Sequence, residues 1–282
     1  MSTVTRFAPS PTGNLHLGHA YSALFAFDAA RASGGVFKIR IEDIDRTRCR
    51  PEFEQQIYDD LTWLGLNWET PVRRQSEHFA DYRKALLTLT EQNLSYPCFC
   101  TRKDIEAEID AAGGAPHGPD GALYPGTCRH IDTHERQDRM AKGEPHAIRL
   151  DMQAACHRAG PLTWLDRGLG QRQARPEQFG DVVLARKDTP TSYHLSVTLD
   201  DHLQGISLVT RAIDLVEATD VHRLLQALLG LDPPEYHHHA LLYGSDGKRF
   251  AKRDKSKTLK SLRDDGMTPD DVLQMITERT DA

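Results

Sequence analysis

The chain has 282 residues, 39% hydrophobic and 27% charged, with a formal net charge of −6. That length can bury a large core and carry more than one domain. The absence of any run of about 18 apolar residues argues against a membrane span and a secretory leader. The negative balance excludes a nucleic-acid grip through the global field, so such a partner would need local basic surface.

Residues 4–8 read as a short strand. Pro9, Pro11 and Gly13 make a turn, and residues 17–32 read as a helix closed by Ser33, Gly34 and Gly35. Residues 36–41 alternate like a strand. Pro51 opens a helix with Ile57, Leu61 and Leu64 at helical spacing, ended by Gly65. Ser76 is expected to cap the next helix, with Phe79, Tyr82, Leu86 and Leu89 on one face. Strands alternating with helices across glycine-rich turns predict a parallel α/β sheet.

Over residues 96–150 the pattern breaks into Gly, Pro, Cys and charge with little period, as in an inserted module that needs a staple. The α/β pattern is expected to resume with strands at 181–185, 193–199 and 206–210. Asp220 is expected to cap a helix carrying Val221, Leu224, Leu225 and Leu228 up to Gly230. Thr268-Pro269-Asp270-Asp271 is a capping box that opens a last short helix through Val272 and Ile276.

Two clusters carry phosphate chemistry. His16-Leu17-Gly18-His19 sits at a helix start, where unpaired N–H groups and the dipole favour an anion. Gly18 lets a nucleotide approach closely. Gly247-Lys248-Arg249-Phe250-Ala251-Lys252-Arg253 opens a tract, 248–260, in which Lys248, Arg249, Lys252, Arg253, Lys255, Lys257 and Lys260 face only Asp254. By composition alone such a tract is a solvated loop. Lys252 would bring a point charge on a flexible stem to leaving phosphates, with Gly247 and Ala251 letting the loop close.

The five cysteines are odd in number, and Cys98-Phe99-Cys100 with Cys128 suits a metal better than disulfides, consistent with a reducing cytoplasm. Zinc takes four ligands, mostly Cys and His, and can rigidify a segment lacking its own core. On chemistry alone His117 or His130 would be the ordinary fourth ligand and Tyr124 an unusual one. Cys49 and Cys156 read as plain thiols. His237-His238-His239 suggests a structural or nucleotide-adjacent role.

The two clusters, in this order and context, resemble the ATP-handling signatures of class I aminoacyl-tRNA synthetases of the glutamyl type. The resemblance extends over the blocks at 6–13, 40–46, 185–197, 200–201, 209–211, 236–238 and 247–253. It implies an α/β fold: a Rossmann-like parallel sheet split by a zinc-containing insertion, with a short α-helical C-terminal segment. The implied divisions are 1–95 and 151–230 for the two halves of the catalytic domain and 96–150 for the insertion. Residues 231–282 would form the signature loop and a helical stem-contact segment.

The same resemblance implies that His16, Gly18, His19 and Lys252 bind ATP, with His16, His19 and Lys252 catalytic and Mg2+ accompanying the nucleotide. It assigns Arg6, Ala8, Ser10, Glu42, Tyr193 and Arg211 to glutamate, with Glu42 on the ammonium and Arg6 and Arg211 toward carboxylates. The set Cys98, Cys100, Tyr124 and Cys128 resembles one branch of these proteins and puts Tyr124 first as fourth zinc ligand. Two departures stand out. Phe250 and Ala251 replace the usual signature residues, and Ala212 follows Arg211 where relatives generally carry glycine.

Only 29 residues follow Arg253, whereas discriminating glutamyl-tRNA synthetases continue into an anticodon-binding half. Length, zinc set and signatures resemble the glutamyl-queuosine tRNA(Asp) synthetase family. That implies activation of L-glutamate by ATP without tRNA and its transfer to queuosine in tRNA(Asp), in the cytoplasm, with no obligatory protein partner. The alternatives are a short conventional glutamyl-tRNA synthetase charging the 3′ end and a catalytically silent tRNA-binding paralogue. Intact His16, His19 and Lys252 argue against the silent one.

Overall fold

Strands β1 (Val4–Phe7) and β2 (Val36–Ile41) run parallel, from Val4 opposite Val36 to Phe7 opposite Ile39. Between them α1 (Leu17–Arg31) buries Ala20, Ala23, Ala26 and Ala30, a row of small side chains that permits close approach to the sheet. Gly35 is needed where β2 begins, because a Cβ there would lie 1.9 Å from the Thr3 carbonyl oxygen. Helix α2 (Pro51–Trp63) starts on Pro51 as expected, and β3 (Glu69–Arg74) extends the parallel sheet beside β2. The computed structural model describes residues 2–111, 116–242 and 257–280.

Ser76 does not cap α3 (Phe79–Glu91). It lies in a 3-10 turn, and its N–H and hydroxyl both donate to the Asp43 carboxylate, at 2.8 and 2.5 Å. A tertiary acceptor has claimed the hydroxyl that an N-cap would turn to the helix N–H groups.

The insertion begins with β4 (Ser95–Cys98) and continues through α4 (Arg102–Ala111) and the small hairpin β5 (His117–Gly118)–β6 (Gly121–Ala122). It closes with α5 (Thr133–Ala141) and β7 (Ala147–Leu150), which pairs antiparallel with β4. Its own core is small: Tyr96, Cys98, Phe99 and Cys128, flanked by Cys100, Tyr124 and Ile131. So few apolar groups hold a module weakly without a cross-link.

After α6 (Met152–Ala159), the antiparallel pair β8 (Thr163–Asp166) and β9 (Gly170–Gln173) starts the second half of the chain. The expected strand at 181–185 is the three-residue β10 (Val183–Ala185). It pairs antiparallel with β7, so it completes the insertion's sheet and not the parallel one. The expected strand at 193–199 is instead the start of helix α7 (Tyr193–Leu203). Residues 195 to 201 of that helix are all buried, and a helix covered on every face shows no amphipathic stripe to reveal its period.

Strand β11 (Leu208–Ala212) falls two residues later than expected. Asp220 lies inside the first turn of α8 (Ala218–Leu229), where its carboxylate accepts the Trp164 indole N–H at 2.8 Å. Gly230 ends that helix with φ 66°. Strand β12 (Glu235–His239) is parallel to both β11 and β8.

Helices α9 (Leu259–Asp264) and α10 (Pro269–Thr280) send Leu259, Leu262, Val272 and Ile276 into the core of the first half. Thr268 and Asp271 form the reciprocal cap: the Thr268 N–H donates to the Asp271 carboxylate at 2.7 Å and the Asp271 N–H to the Thr268 hydroxyl at 3.3 Å. None of the described helices is long and apolar enough to cross a membrane.

Asp60 on α2 is fully buried facing α9, with one carboxylate oxygen lacking any hydrogen-bond partner and Arg263 3.5 Å from the other. Burial pushes its carboxyl up to about 6. Because the folded state then holds this proton more tightly than the unfolded chain, stability falls as pH rises from about 4 through 6. Asp60→Asn is therefore expected to stabilise the protein by about 1–2 kcal/mol at pH 7.5, with the gain gone near pH 4. Urea denaturation at the two pH values checks this; a uniform loss would mean that the Arg263 pair outweighs desolvation.

Candidate active site

β1 lies beside β11, with the Ser207 N–H donating to the Val4 carbonyl at 3.0 Å and the Val4 N–H to the Ser207 hydroxyl at 2.9 Å. The two parallel halves thus meet at these strands. From each, chain connections run outward in opposite directions, which is where an open α/β sheet leaves a crevice at its strand ends. A cavity of about 520 Å³ opens there. It is lined by Arg6, Ala8 and Ser10 from β1 and its loop, by Glu42 beyond β2, and by His16, Gly18 and His19 at the start of α1. Tyr193 at the start of α7 and Arg211 and Ala212 on β11 complete that wall. Every site residue expected for glutamate and for the first signature borders this one space. Lys252 lies outside the described residues.

Beneath the cavity, Arg6, Arg40 and Arg73 interleave with Glu42, Asp200 and Asp201. Arg40 is fully buried and donates to Asp201 at 2.7 Å and to Glu42 at 3.1 Å. Asp201 also accepts Arg6 Nε at 2.9 Å, while Arg6 Nη1 donates to the Thr210 carbonyl at 2.9 Å. Asp200 accepts Arg73, Gln75 and the Tyr82 hydroxyl. Burial pushes the Glu42 carboxyl above its ordinary range, against the pull of Arg40. The Asp201 carboxyl is held low by Arg6 and Arg40, which together outweigh its burial. Arg40 thus fixes the two carboxylates on which Glu42's placement and Arg6's orientation depend.

Arg211 is held differently. Its Nε donates to His238 Nε2 and its Nη1 to His222 Nδ1, both at 3.1 Å, and Nη2 donates to the Thr219 hydroxyl. His238 in turn faces Asp166, Nδ1 to carboxylate, at 2.7 Å. Among the described residues Arg211 forms no ion pair. Of the two arginines on the wall, Arg6 is already matched by Asp201, and Arg211 keeps an unmatched charge.

His16 caps α1. Its Nδ1 accepts the Gly18 N–H at 3.1 Å, and His19 Nδ1 accepts the His16 N–H at 3.1 Å, so two imidazoles make a reciprocal cap with their rings stacked 3.7 Å apart. Since both Nδ1 atoms accept, each neutral ring carries its hydrogen on Nε2. A Cβ on Gly18 would sit 3.1 Å from the His16 ring, so this glycine also makes room for the cap. Thr258 forms an antiparallel bridge with His16, and the Leu259 N–H donates to the Leu15 carbonyl at 2.8 Å. Chain just beyond the second signature is therefore fastened to the first. Lys257 and Lys260 of the basic tract pair with Asp265 and Asp264.

In the insertion the Cys98, Cys100 and Cys128 sulfurs all lie within 4.8 Å of one another. The Tyr124 hydroxyl is 3.4 Å from Cys98 and 3.5 Å from Cys100, and it accepts the Cys128 N–H at 2.9 Å. Zinc–sulfur bonds of about 2.3 Å place tetrahedral sulfurs roughly 3.8 Å apart, so the donor set fits such an ion. Neither His117 nor His130 belongs to the cluster. Arg149 lies 3.9 Å over the Tyr124 ring, while burial and the Cys98 contact push the Tyr124 phenol well above its usual range, so binding as phenolate would need the charge of the ion itself.

The family described as "tRNA synthetases class I (E and Q), catalytic domain" matches residues 2–280. The Glutamyl-Q tRNA(Asp) synthetase of Rhodobacter capsulatus is 50% identical, over 97% of this chain and 99% of the relative. The chain belongs to the glutamyl-Q tRNA(Asp) synthetase family. A second such protein, from Nocardia farcinica, is 41% identical over 97% of this chain and 83% of its own. The glutamate tRNA ligase of Elizabethkingia meningosepticum, solved with its amino acid, superposes with a TM-score of 0.80 at 26% identity. This chain spans 60% of the length of that ligase.

Against this family background, the residues to which sequence reasoning gave no role are ones that hold the lining in place: Arg40, Asp201, His222 and Asp166, whereas His238 takes the structural role expected of the histidine run. A signal for Asp201 was visible: Asp200-Asp201 follows the apolar positions Leu195, Val197 and Leu199, and buried charges in such places are paired. Arg40 stands at a polar position of an alternating strand, which reads as solvent-facing. His222 carried no comparable signal.

Proposed function

We propose that this chain activates L-glutamate with ATP in the absence of tRNA and transfers it to the queuosine wobble nucleoside of tRNA(Asp). The observation that carries the reading is one cavity joining a carboxylate, an unmatched guanidinium and a helix N-terminus capped by two imidazoles. Glu42 would receive the α-ammonium, with Arg6, Arg211, Ala8, Ser10 and Tyr193 around the rest of glutamate. A carboxylate oxygen of glutamate attacks the α-phosphorus of ATP, and the bond to pyrophosphate breaks. His16 and His19 would donate from Nε2 to the phosphates, Gly18 would admit the nucleotide, and Lys252 would follow the leaving charge, with Mg2+ carried on ATP.

A hydroxyl of queuosine would then attack the activated carbonyl and release AMP. A second groove, about 1080 Å³, runs between the insertion and α7 and shares Tyr193 with the cavity. Arg48, Arg102 and Arg186 on its lining are exposed, a placement suited to backbone phosphates. Cys98, Cys100, Tyr124 and Cys128 would hold one structural zinc that fixes this groove's outer wall.

The test is glutamate-dependent exchange of pyrophosphate into ATP without tRNA. Lys252→Ala is expected to depress the exchange rate by about 100-fold or more while shifting the glutamate KM little, because its contact strengthens as charge moves to the leaving group. Equal exchange with aspartate or glutamine, or none with glutamate, would refute the substrate.

A further inference from the structure

Arg6, Arg40 and Arg73 each contact a carboxylate, whereas Arg211 leans on two imidazoles and a hydroxyl. The direction of those bonds fixes the tautomers. His222 accepts Arg211 Nη1 on Nδ1, so its hydrogen is on Nε2, which donates to His194 Nδ1 at 3.2 Å. His194 then turns its own Nε2 toward Asp120 on the insertion hairpin, 3.8 Å away. His238 accepts on Nε2 and donates from Nδ1 to Asp166.

The groups in contact with His222 are Arg211, His194 and the Tyr193 ring, and Arg6 and His238 act on it from farther off. Burial, then Arg211, hold His222 well below the usual imidazole range. A carboxylate at that position would orient Arg211 equally well, but it would also neutralise it, and a matched guanidinium binds a second carboxylate weakly.

Resting on the reading of this cavity as the glutamate site, we propose that His222 is a positioning residue that orients Arg211 without neutralising it, so that the guanidinium keeps its charge for a substrate carboxylate. The role requires a neutral acceptor at Nδ1.

His222→Asn and His222→Asp both put an oxygen close to where Nδ1 stands; the amide stays neutral and keeps a donor on its other atom, as the imidazole does, while the carboxylate brings a negative charge. In glutamate-dependent pyrophosphate exchange by the full chain, the Asn variant is expected to keep its glutamate KM within about 5-fold of the unaltered protein. The Asp variant should raise KM on the order of 100-fold with kcat nearly unchanged. Its melting temperature should match or exceed that of the Asn variant, since the carboxylate forms a buried ion pair with Arg211. Equal KM in the two variants, normal or raised, would overturn the proposal and leave His222 a packing residue.

Should the Asp variant fail to fold, imidazole nitrogen-15 shifts of the unaltered protein decide. His222 is expected to be neutral with its hydrogen on Nε2 at pH 6, and a cationic ring there would overturn the proposal. Absence of glutamate-dependent exchange in the unaltered protein would instead remove the functional reading, which separates the two failures.

Discussion

Asp201→Ala is expected to cost about 3–5 kcal/mol of folding stability and to abolish glutamate-dependent exchange. The side chain is 9% exposed and accepts from both Arg6 and Arg40. Deleting it leaves two guanidiniums in a buried site without the carboxylate between them, and an uncompensated buried charge is the costly outcome of breaking such a pair. Arg6 would also lose the contact that orients it on the cavity wall. Urea denaturation measures the first effect and pyrophosphate exchange the second. A loss below about 1 kcal/mol would mean that water reaches Arg6 and Arg40 readily, contrary to their burial. Asp201→Asn should fall between the two, since its shape is kept but one of its polar atoms becomes a donor facing donors.

Cys128→Ser is expected to take zinc content from about one per chain to none and to loosen the insertion. Among the described residues the insertion's own cluster is four buried side chains, so metal binding supplies most of what orders it. Elemental analysis under reducing conditions checks the first claim, and amide hydrogen exchange over residues 95–150 the second. Glutamate activation should partly survive, because the cavity residues come from the α/β halves. Tyr124→Phe isolates the fourth ligand: unchanged zinc affinity would hand that position to water. An intact chain purified without zinc would refute the site altogether.

The first α/β unit was legible because its physics is local. Apolar alternation in 36–41, a proline opening α2 and the glycines at 34 and 35 each announce one element. Helix α7 was misread because burial on all sides erased the helical stripe. Strand β12 was missed because three histidines read as polar, yet His238 and His239 are buried there, His238 satisfied by Asp166 and Arg211. For β10 the obstacle was its partner: pairing with β7 is a tertiary matter that no local pattern records.

The cavity lining itself was read from motif resemblance, residue by residue. What that reading could not supply was the state of each charge. That Arg6 is matched and Arg211 is not depends on contacts from α7, α8 and β12, which only folding brings together.

The most direct test of the central claim is where labelled glutamate ends up. The purified chain is incubated with glutamate, ATP and tRNA(Asp) with or without queuosine, and the 3′-terminal CCA is then removed. Label is expected on queuosine-bearing tRNA(Asp) alone, retained after the CCA end is gone, with binding that weakens steeply as salt rises because phosphate contacts release counterions. Label appearing on tRNA(Glu) and leaving with the CCA end would contradict that claim and make this chain a charging enzyme of the conventional kind.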